Sequence, residues 1–223
     1  MLNFHGMMWK VAVPGGEVPV IADDEVQPVV VILAHGAGSH MEQKTVEWLA
    51  GLVREAGASV VRFNFLYRAQ GRSMPDRMPV LIQTYREVVK SVRGQLSPTK
   101  LVVGGHSMGG RAASMMEAEE RGADGLLLFG YPLHPAEQPQ KLRDAHLTKI
   151  STPTLQLNGT EDLLCTQEIM DSVVATLDPS VWHLTWIDGA DHSYGVKKAS
   201  GRTRSDVAEQ MTNTISGWLP HSG

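Results

Sequence analysis

A serine in the middle of a glycine-flanked turn is the strongest chemical signal in this sequence. Ser107 lies in the pentapeptide G-H-S-M-G at 105–109, between an apolar segment typical of a strand and a segment with helical periodicity. In that context G-x-S-x-G places the serine at a sharp, strained turn that exposes its hydroxyl above a sheet. The N–H of Met108, at the start of the helix, is expected to face an oxygen that becomes negative during attack. The pattern predicts a nucleophilic serine.

A glycine-rich loop that binds phosphate is the competing interpretation of these residues. A P-loop requires lysine followed by serine or threonine after its second glycine, but Gly110 and Arg111 follow Gly109. The G-x-G-x-x-G pattern of dinucleotide sites fails at Gly36, because Met41 stands where the third glycine is required. Both phosphate motifs are therefore excluded, and the nucleophile is favoured.

Two loops further along the chain contain an acid and a base. A serine hydroxyl near pH 7 is a poor nucleophile and needs a base that is oriented by a carboxylate. Asp162 follows a predicted strand at 154–157, and His192 follows one at 182–187. Because the carboxyl ends of parallel strands meet at one edge of a sheet, we expect both side chains on the edge where Ser107 emerges.

Short β-branched runs alternate with helical periods along the whole chain. The predicted strands are an N-terminal hairpin at 11–13 and 18–21, then 29–34, 59–65, 101–103, 126–129, 154–157 and 182–187. The predicted helices are 42–56, 80–92, 108–121, 138–147 and a last one carrying Val207, Met211, Ile215 and Trp218. The alternation predicts an α/β fold: a mostly parallel sheet of about eight strands, with helices on both faces. We expect residues 1–223 to form a single domain.

Two motifs carry a resemblance to a known family. With the G-H-S-M-G pentapeptide at 105–109, the sequence H-G-A-G at 35–38 resembles the α/β-hydrolase superfamily, and the strand–helix alternation extends the resemblance over nearly the whole chain. The chain is most similar to small carboxylesterases and dienelactone-hydrolase-like members without a lid. The resemblance implies the α/β-hydrolase fold without a cap domain.

The resemblance also implies a role for each candidate residue. Ser107 corresponds to the nucleophile, Asp162 to the acid and His192 to the base. The H-G-x-x loop implies that the backbone N–H of Ala37 joins that of Met108 as the oxyanion hole. No metal or organic cofactor is implied.

Other ionisable residues near the motifs are expected to serve the structure. Glu161 is expected to be solvated, and Asp188 and Asp191 are too close to His192 in sequence to reach the far nitrogen of its ring easily. Six other histidines are expected to shape loops or to lie in structural or surface positions: His5, His35, His106, His146, His183 and His221.

Two features bear on the substrate. Three arginines follow the strand at 59–65, namely Arg68, Arg72 and Arg77. One interpretation is that they bind an anionic part of the substrate. We favour the other, that they are solvated or pair with carboxylates such as Asp76. His134 is a candidate for the border of the acyl pocket. The segment 129–154 leaves room for one helix, so we expect an open site that favours small or soluble substrates.

Composition and charge exclude several classes of protein. An apolar fraction of 42% excludes a disordered chain, and a net charge of −4 argues against nucleic-acid binding. The single cysteine, Cys165, forms no internal disulfide and no cysteine-rich metal site. The longest apolar run, 29–34, is far shorter than a membrane span, and 1–10 has no secretory signal pattern. We expect a cytoplasmic protein with no membrane partner.

The residues together predict a serine hydrolase that cleaves small or short-acyl carboxylic esters through an acyl-enzyme intermediate. Three other activities use the same residues, namely those of a peptidase, a thioesterase and a lactonase. A protein that uses the hydrolase fold only for binding or as a scaffold is an alternative of a different class. The oligomeric state is left open.

Overall fold

The computed structural model describes residues 6–220, and its central element is an eight-stranded sheet. The strands are β1 (Gly6–Val13), β2 (Gly16–Asp23), β3 (Val29–Ala34), β4 (Ser59–Phe63), β5 (Lys100–His106), β6 (Gly125–Phe129), β7 (Thr154–Gly159) and β8 (Trp182–Ile187). Their order across the sheet is β1-β2-β4-β3-β5-β6-β7-β8. Strand β2 pairs antiparallel with both β1 and β4, and every other neighbouring pair is parallel. The predicted hairpin and mostly parallel sheet are confirmed.

Helices cover both faces of this sheet. Those in the described residues are α1 (Lys44–Glu55), α2 (Leu66–Ala69), α3 (Met78–Leu96), α4 (Met108–Glu119), α5 (Gln167–Val174) and α6 (Arg204–Trp218). Apolar side chains of α1 and α6 pack on one face, and those of α3, α4 and α5 on the other. Within β3, Val31 and Leu33 pack against the face that α1 and α6 cover. Val30 and Ile32 pack against the face that α3, α4 and α5 cover. A strand buried on both faces is therefore apolar at every position.

The start and the buried face of the last helix both follow from its sequence. Helix α6 begins after a capping box, in which the side chain of Thr203 accepts from the N–H of Asp206 and the Asp206 carboxylate accepts from the N–H of Thr203. Val207, Met211 and Ile215 follow at intervals of four and are fully buried. The helix predicted from this stripe is confirmed.

The helix predicted at 138–147 is wrong. The only helical element in this connection between β6 and β7 is a 3₁₀ turn at Leu147–Lys149. The backbone N–H of Arg143 donates to the carbonyl of Leu133 at 2.8 Å, and its carbonyl accepts from the Tyr131 hydroxyl at 2.6 Å. These contacts with the chain just after β6 take backbone groups that a helix would use.

The connection from 130 to 153 therefore contains no α-helix, and no cap domain is inserted there. The expected absence of a cap is confirmed. Nowhere between residues 6 and 220 is there a helix with both the length and the apolar character needed to cross a bilayer.

Candidate active site

The turn between β5 and α4 holds Ser107 in a strained backbone conformation. Its φ of 54° and ψ of −117° lie outside the regions that L-residues favour. The N–H of Ser107 donates to the carbonyl of Phe129 at 2.9 Å, and its carbonyl accepts from the N–H of Arg111 at 3.0 Å. Bonds to β6 on one side and α4 on the other thus maintain the conformation that sequence analysis predicts.

The two glycines of the pentapeptide allow this turn to pack directly on the end of β3. A Cβ at Gly105 would lie 2.6 Å from the carbonyl oxygen of Ala34. A Cβ at Gly109 would lie 2.6 Å from the carbonyl oxygens of both Ala34 and His35. Because the obstructing atoms belong to backbone, any larger residue requires the strand and the helix to move apart.

Three strand ends bring the predicted nucleophile, base and acid together. The Nε2 atom of His192 lies 2.9 Å from Oγ of Ser107, and its Nδ1 lies 2.8 Å from Oδ2 of Asp162. These partners assign the tautomer in which Nδ1–H donates to the carboxylate and Nε2 accepts from the hydroxyl. The Asp162 side chain is fully buried, whereas that of His192 is 26% exposed. A substrate can therefore reach the base but not the acid.

Asn158, at the buried end of β7, holds the acid in place. Its Nδ2 donates to Oδ2 of Asp162 at 3.2 Å, and Oδ1 of Asp162 accepts from the N–H of Leu164 at 2.8 Å. The same amide accepts from the N–H of Tyr131 and donates to its carbonyl. Asn158 is not among the residues predicted for the site, and its one sequence signal is a polar residue at the end of an apolar strand, four residues before Asp162.

Two buried histidines position the loops around Ser107. His106 Nε2–H donates to the carbonyl of His192 at 2.9 Å, and burial lowers the pKa of His106 to about 4. His35 donates from Nδ1 to the carbonyl of Gly36 at 2.8 Å and accepts at Nε2 from the N–H of Phe65. Burial also lowers the pKa of His35 to about 4. Both rings are therefore neutral at pH 7, so they fix the loops without carrying charge.

Two backbone donors lie beside the nucleophile. The 35–38 loop lies against the serine, since a Cβ at Gly36 would lie 3.4 Å from Cβ of Ser107. The N–H of Ala37, in this loop, and the N–H of Met108, at the first position of α4, have no acceptor within the part of the chain that the structure describes. Unpaired N–H groups in this position can donate hydrogen bonds to a negatively charged oxygen of a ligand.

The neighbouring carboxylates have other partners. Glu161 pairs with Lys197 at 3.3 Å on the surface. Oδ1 of Asp191 accepts from the N–H groups of Ser193 and Gly195, which folds the loop after His192. Of the remaining histidines, His183 is exposed on β8, His146 is half-buried, and His5 and His221 lie outside the described residues. Between residues 6 and 220, no three His, Cys, Asp or Glu side chains are grouped as metal ligands.

The predicted substrate-binding arginines differ in their contacts. Nη1 of Arg72 pairs with the Asp76 carboxylate at 2.8 Å, which is the arrangement that sequence analysis favours. Nη1 of Arg68 donates to the backbone carbonyl of Arg72 at 3.3 Å, and Nε of Arg68 is buried without a hydrogen-bond partner in the described residues. Their role in substrate binding stays a prediction.

His134, the third predicted substrate contact, is buried and bonded at both ring nitrogens. Its Nε2 accepts from the N–H of Thr166 at 3.0 Å, and its Nδ1 lies 3.0 Å from the carbonyl of Pro135. These bonds join the 130–153 connection to the start of α5. A direct contact with substrate stays a prediction.

Comparison with known proteins supplies a family for this arrangement. Residues 27–220 match the family model described as "Alpha/beta hydrolase domain". The whole chain superposes on 99% of a lidless α/β serine hydrolase from Xanthomonas campestris, at 22% identity and a TM-score of 0.75. The match to a dienelactone hydrolase from Anabaena variabilis covers 97% of this chain and 99% of that protein, at 18% identity and a TM-score of 0.72. The match to an esterase from Pyrococcus furiosus covers 98% of this chain and 92% of that protein, at 16% identity and a TM-score of 0.75.

Proposed function

This chain belongs to the alpha/beta hydrolase domain family, and from that premise we propose that it is a serine esterase whose nucleophile is Ser107. The observation that carries the proposal is the continuous hydrogen-bonded path from Oγ of Ser107 through His192 to the buried carboxylate of Asp162. A serine hydroxyl without such a base is inert towards esters near neutral pH. The path supplies the base and the group that orients it.

In the proposed acylation step, Oγ of Ser107 forms a bond to the ester carbonyl carbon while its proton passes to Nε2 of His192. Asp162 keeps the imidazole in the required tautomer and stabilises the cation that forms. The N–H groups of Ala37 and Met108 donate to the oxygen that becomes negative. When the tetrahedral intermediate collapses, the bond to the alcohol oxygen breaks and His192 returns its proton to the leaving alcohol.

In the proposed deacylation step, water attacks the acyl group on Ser107. His192 removes a proton from this water, and the same backbone donors stabilise the second oxyanion. The bond between Oγ and the acyl carbon then breaks, Oγ recovers a proton from His192, and the carboxylic acid leaves. The cycle uses only side chains, backbone donors and water.

A small or short-acyl ester is the substrate class that the proposal favours. The connection between β6 and β7 contains no α-helix that would form a lid, and His192 is partly exposed. We expect such an open site to favour a short acyl chain, because a long acyl chain is bound well only where a deep apolar pocket removes it from water.

Initial rates on p-nitrophenyl esters from acetate to palmitate test this proposal. We expect turnover that is highest for short acyl chains and is lost in Ser107→Ala. Ser172→Ala, which changes an exposed serine on α5, is the matched control and is expected to keep full activity. Wild-type rates in Ser107→Ala contradict the proposal. A folded wild-type protein that turns over no ester would instead require a peptide, thioester or lactone substrate, or a scaffold role.

A further inference from the structure

Two arginines near Ser107 carry charges that the serine mechanism does not use. Arg111 lies on α4 and its backbone N–H donates to the carbonyl of Ser107, so it stands one helical turn from the nucleophile. Four residues of α-helix correspond to a rise of about 6 Å. Helical side chains lean towards the N-terminus of their helix, which directs the Arg111 guanidinium back towards the Ser107 end of α4. Arg143 approaches from the 130–153 connection.

Neither guanidinium has a carboxylate partner between residues 6 and 220. Nε of Arg111 is buried without any hydrogen-bond partner there, and Nη1 of Arg143 donates only to the carbonyl of Pro132, at 3.1 Å. The nearby carboxylate of Glu119 already pairs with Arg86. Both arginines are partly buried, so water replaces the missing counter-charge less effectively than at an exposed site.

Two titratable side chains near these arginines respond to the charge of Arg111. The pKa of His146 is lowered to about 4 by burial and by the charge of Arg111, with Asp144 and Glu119 opposing the shift less strongly, and its Nε2 bonds to Oγ of Ser114. Burial, together with Arg111, also lowers the pKa of Arg143. The two positive charges thus act on each other, and no carboxylate between residues 6 and 220 forms an ion pair with either of them. An anion between them relieves that repulsion.

Hydrogen bonds connect Arg143 to the residues that hold Asp162. The Tyr131 hydroxyl donates to the carbonyl of Arg143, and the Tyr131 backbone bonds to Asn158, which in turn holds Asp162. An anion bound between the two arginines would therefore lie beside the serine, on the side of β6. The rise of about 6 Å between Ser107 and Arg111 along α4 suits a charged group on the substrate that is several bonds from the reacting carbonyl.

We propose that the guanidinium groups of Arg111 and Arg143 form an anion subsite, and that the ester cleaved at Ser107 carries a carboxylate several atoms from its scissile carbonyl. This inference rests on the proposed esterase function and narrows its substrate class to half-esters of dicarboxylic acids or similarly charged esters. The planar fork of arginine binds a carboxylate in two-point fashion, which positions the substrate as well as attracting it.

A matched pair of esters tests the subsite. 4-Nitrophenyl hexanoate and the 4-nitrophenyl half-ester of adipic acid differ in one terminal group, a methyl in the first and a carboxylate in the second. We expect wild type to favour the half-ester in kcat/KM, and Arg111→Met to lower the half-ester-to-hexanoate ratio by about 10- to 100-fold. Arg111→Lys is expected to fall between the two, since it keeps the charge and loses the fork.

Two further variants test the second arginine and provide a matched control. Arg143→Met is expected to lower the same ratio, whereas Arg121→Met, an exposed arginine just beyond α4, is expected to leave it at the wild-type value. Circular dichroism checks that each variant is folded. Equal ratios in wild type, Arg111→Met and Arg143→Met would overturn the subsite, even where both esters are hydrolysed.

A binding measurement keeps the subsite testable if the proposed function fails. That failure shows as no Ser107-dependent turnover of either ester. Adipate at millimolar concentration is then added to the Ser107→Ala protein with and without the Arg111→Met change. A rise in Tm that requires Arg111 supports the subsite, and no rise in either protein overturns it.

Discussion

Lowering the pH from 7 to 5 is expected to destabilise this protein through its two buried histidines beside the nucleophile. His35 is fully buried and His106 is 8% exposed. Burial lowers the pKa of each from the ordinary 6.5 to about 4. In the unfolded chain both rings take up a proton near pH 6.5, whereas in the folded protein they stay neutral until the pH approaches 4. The unfolded state therefore binds more protons between these values, and stability falls as the pH falls.

The size of this effect follows from the pKa shift. A shift from 6.5 to about 4 corresponds to about 3 kcal/mol per histidine once the pH is below both values. At pH 5 about 2 kcal/mol of that is already lost for each ring, or about 4 kcal/mol for the pair. Domains of this kind typically have ~5–15 kcal/mol of total stability, so the loss is readily measured.

Urea unfolding at pH 7 and pH 5 measures the loss, and His106→Gln isolates one part of it. Glutamine keeps an N–H donor for the carbonyl of His192 but takes up no proton, so the difference between the two pH values should shrink by about 2 kcal/mol. His183→Gln is the matched control, because His183 is exposed on β8, and it should keep the wild-type difference. A His106→Gln protein whose pH dependence equals that of wild type would refute the reasoning.

Three substitutions test the geometry of the site. Asp162→Asn should keep the fold and lower kcat by roughly 10⁴-fold, because the amide no longer selects the productive tautomer of His192. Steady-state kinetics on the folded variant measure this loss, and a kcat close to that of wild type would contradict the role of Asp162. Asn158→Ala should lower the free energy of unfolding by about 1–3 kcal/mol and also lower kcat, since it removes a buried amide bonded to Asp162, and urea unfolding showing no loss would contradict this. Gly109→Ala should cost about 1–3 kcal/mol in thermal unfolding because its Cβ meets backbone oxygens at 2.6 Å, and a wild-type Tm would contradict this packing.

The sheet and the nucleophile turn could be predicted because short stretches of sequence determine them. The six apolar residues of Val29–Ala34 are explained only by a strand buried on both faces. Gly105 and Gly109 are required by the close approach of backbone from β3, which the spacing of the pentapeptide already indicates. Asp162 and His192 were found because each follows an apolar strand, and parallel strands end on one edge.

Features that depend on distant contacts could not be predicted. The helix expected at 138–147 is absent because Arg143 bonds to Tyr131 and Leu133, which no local pattern reveals. Asn158 is an ordinary polar residue until the fold places its amide between Tyr131 and Asp162. The approach of Arg143 to Arg111 depends in the same way on how the 130–153 connection folds back over α4.

Covalent labelling of Ser107 is the most direct test of the central claim. The intact protein is treated with a fluorophosphonate, and peptide mass spectrometry then locates the adduct. We expect one phosphonyl group per chain, attached to Oγ of Ser107, with much slower labelling in His192→Ala because the base is removed. A folded wild-type protein that remains unlabelled, or one that is labelled equally well in Ser107→Ala, would contradict it.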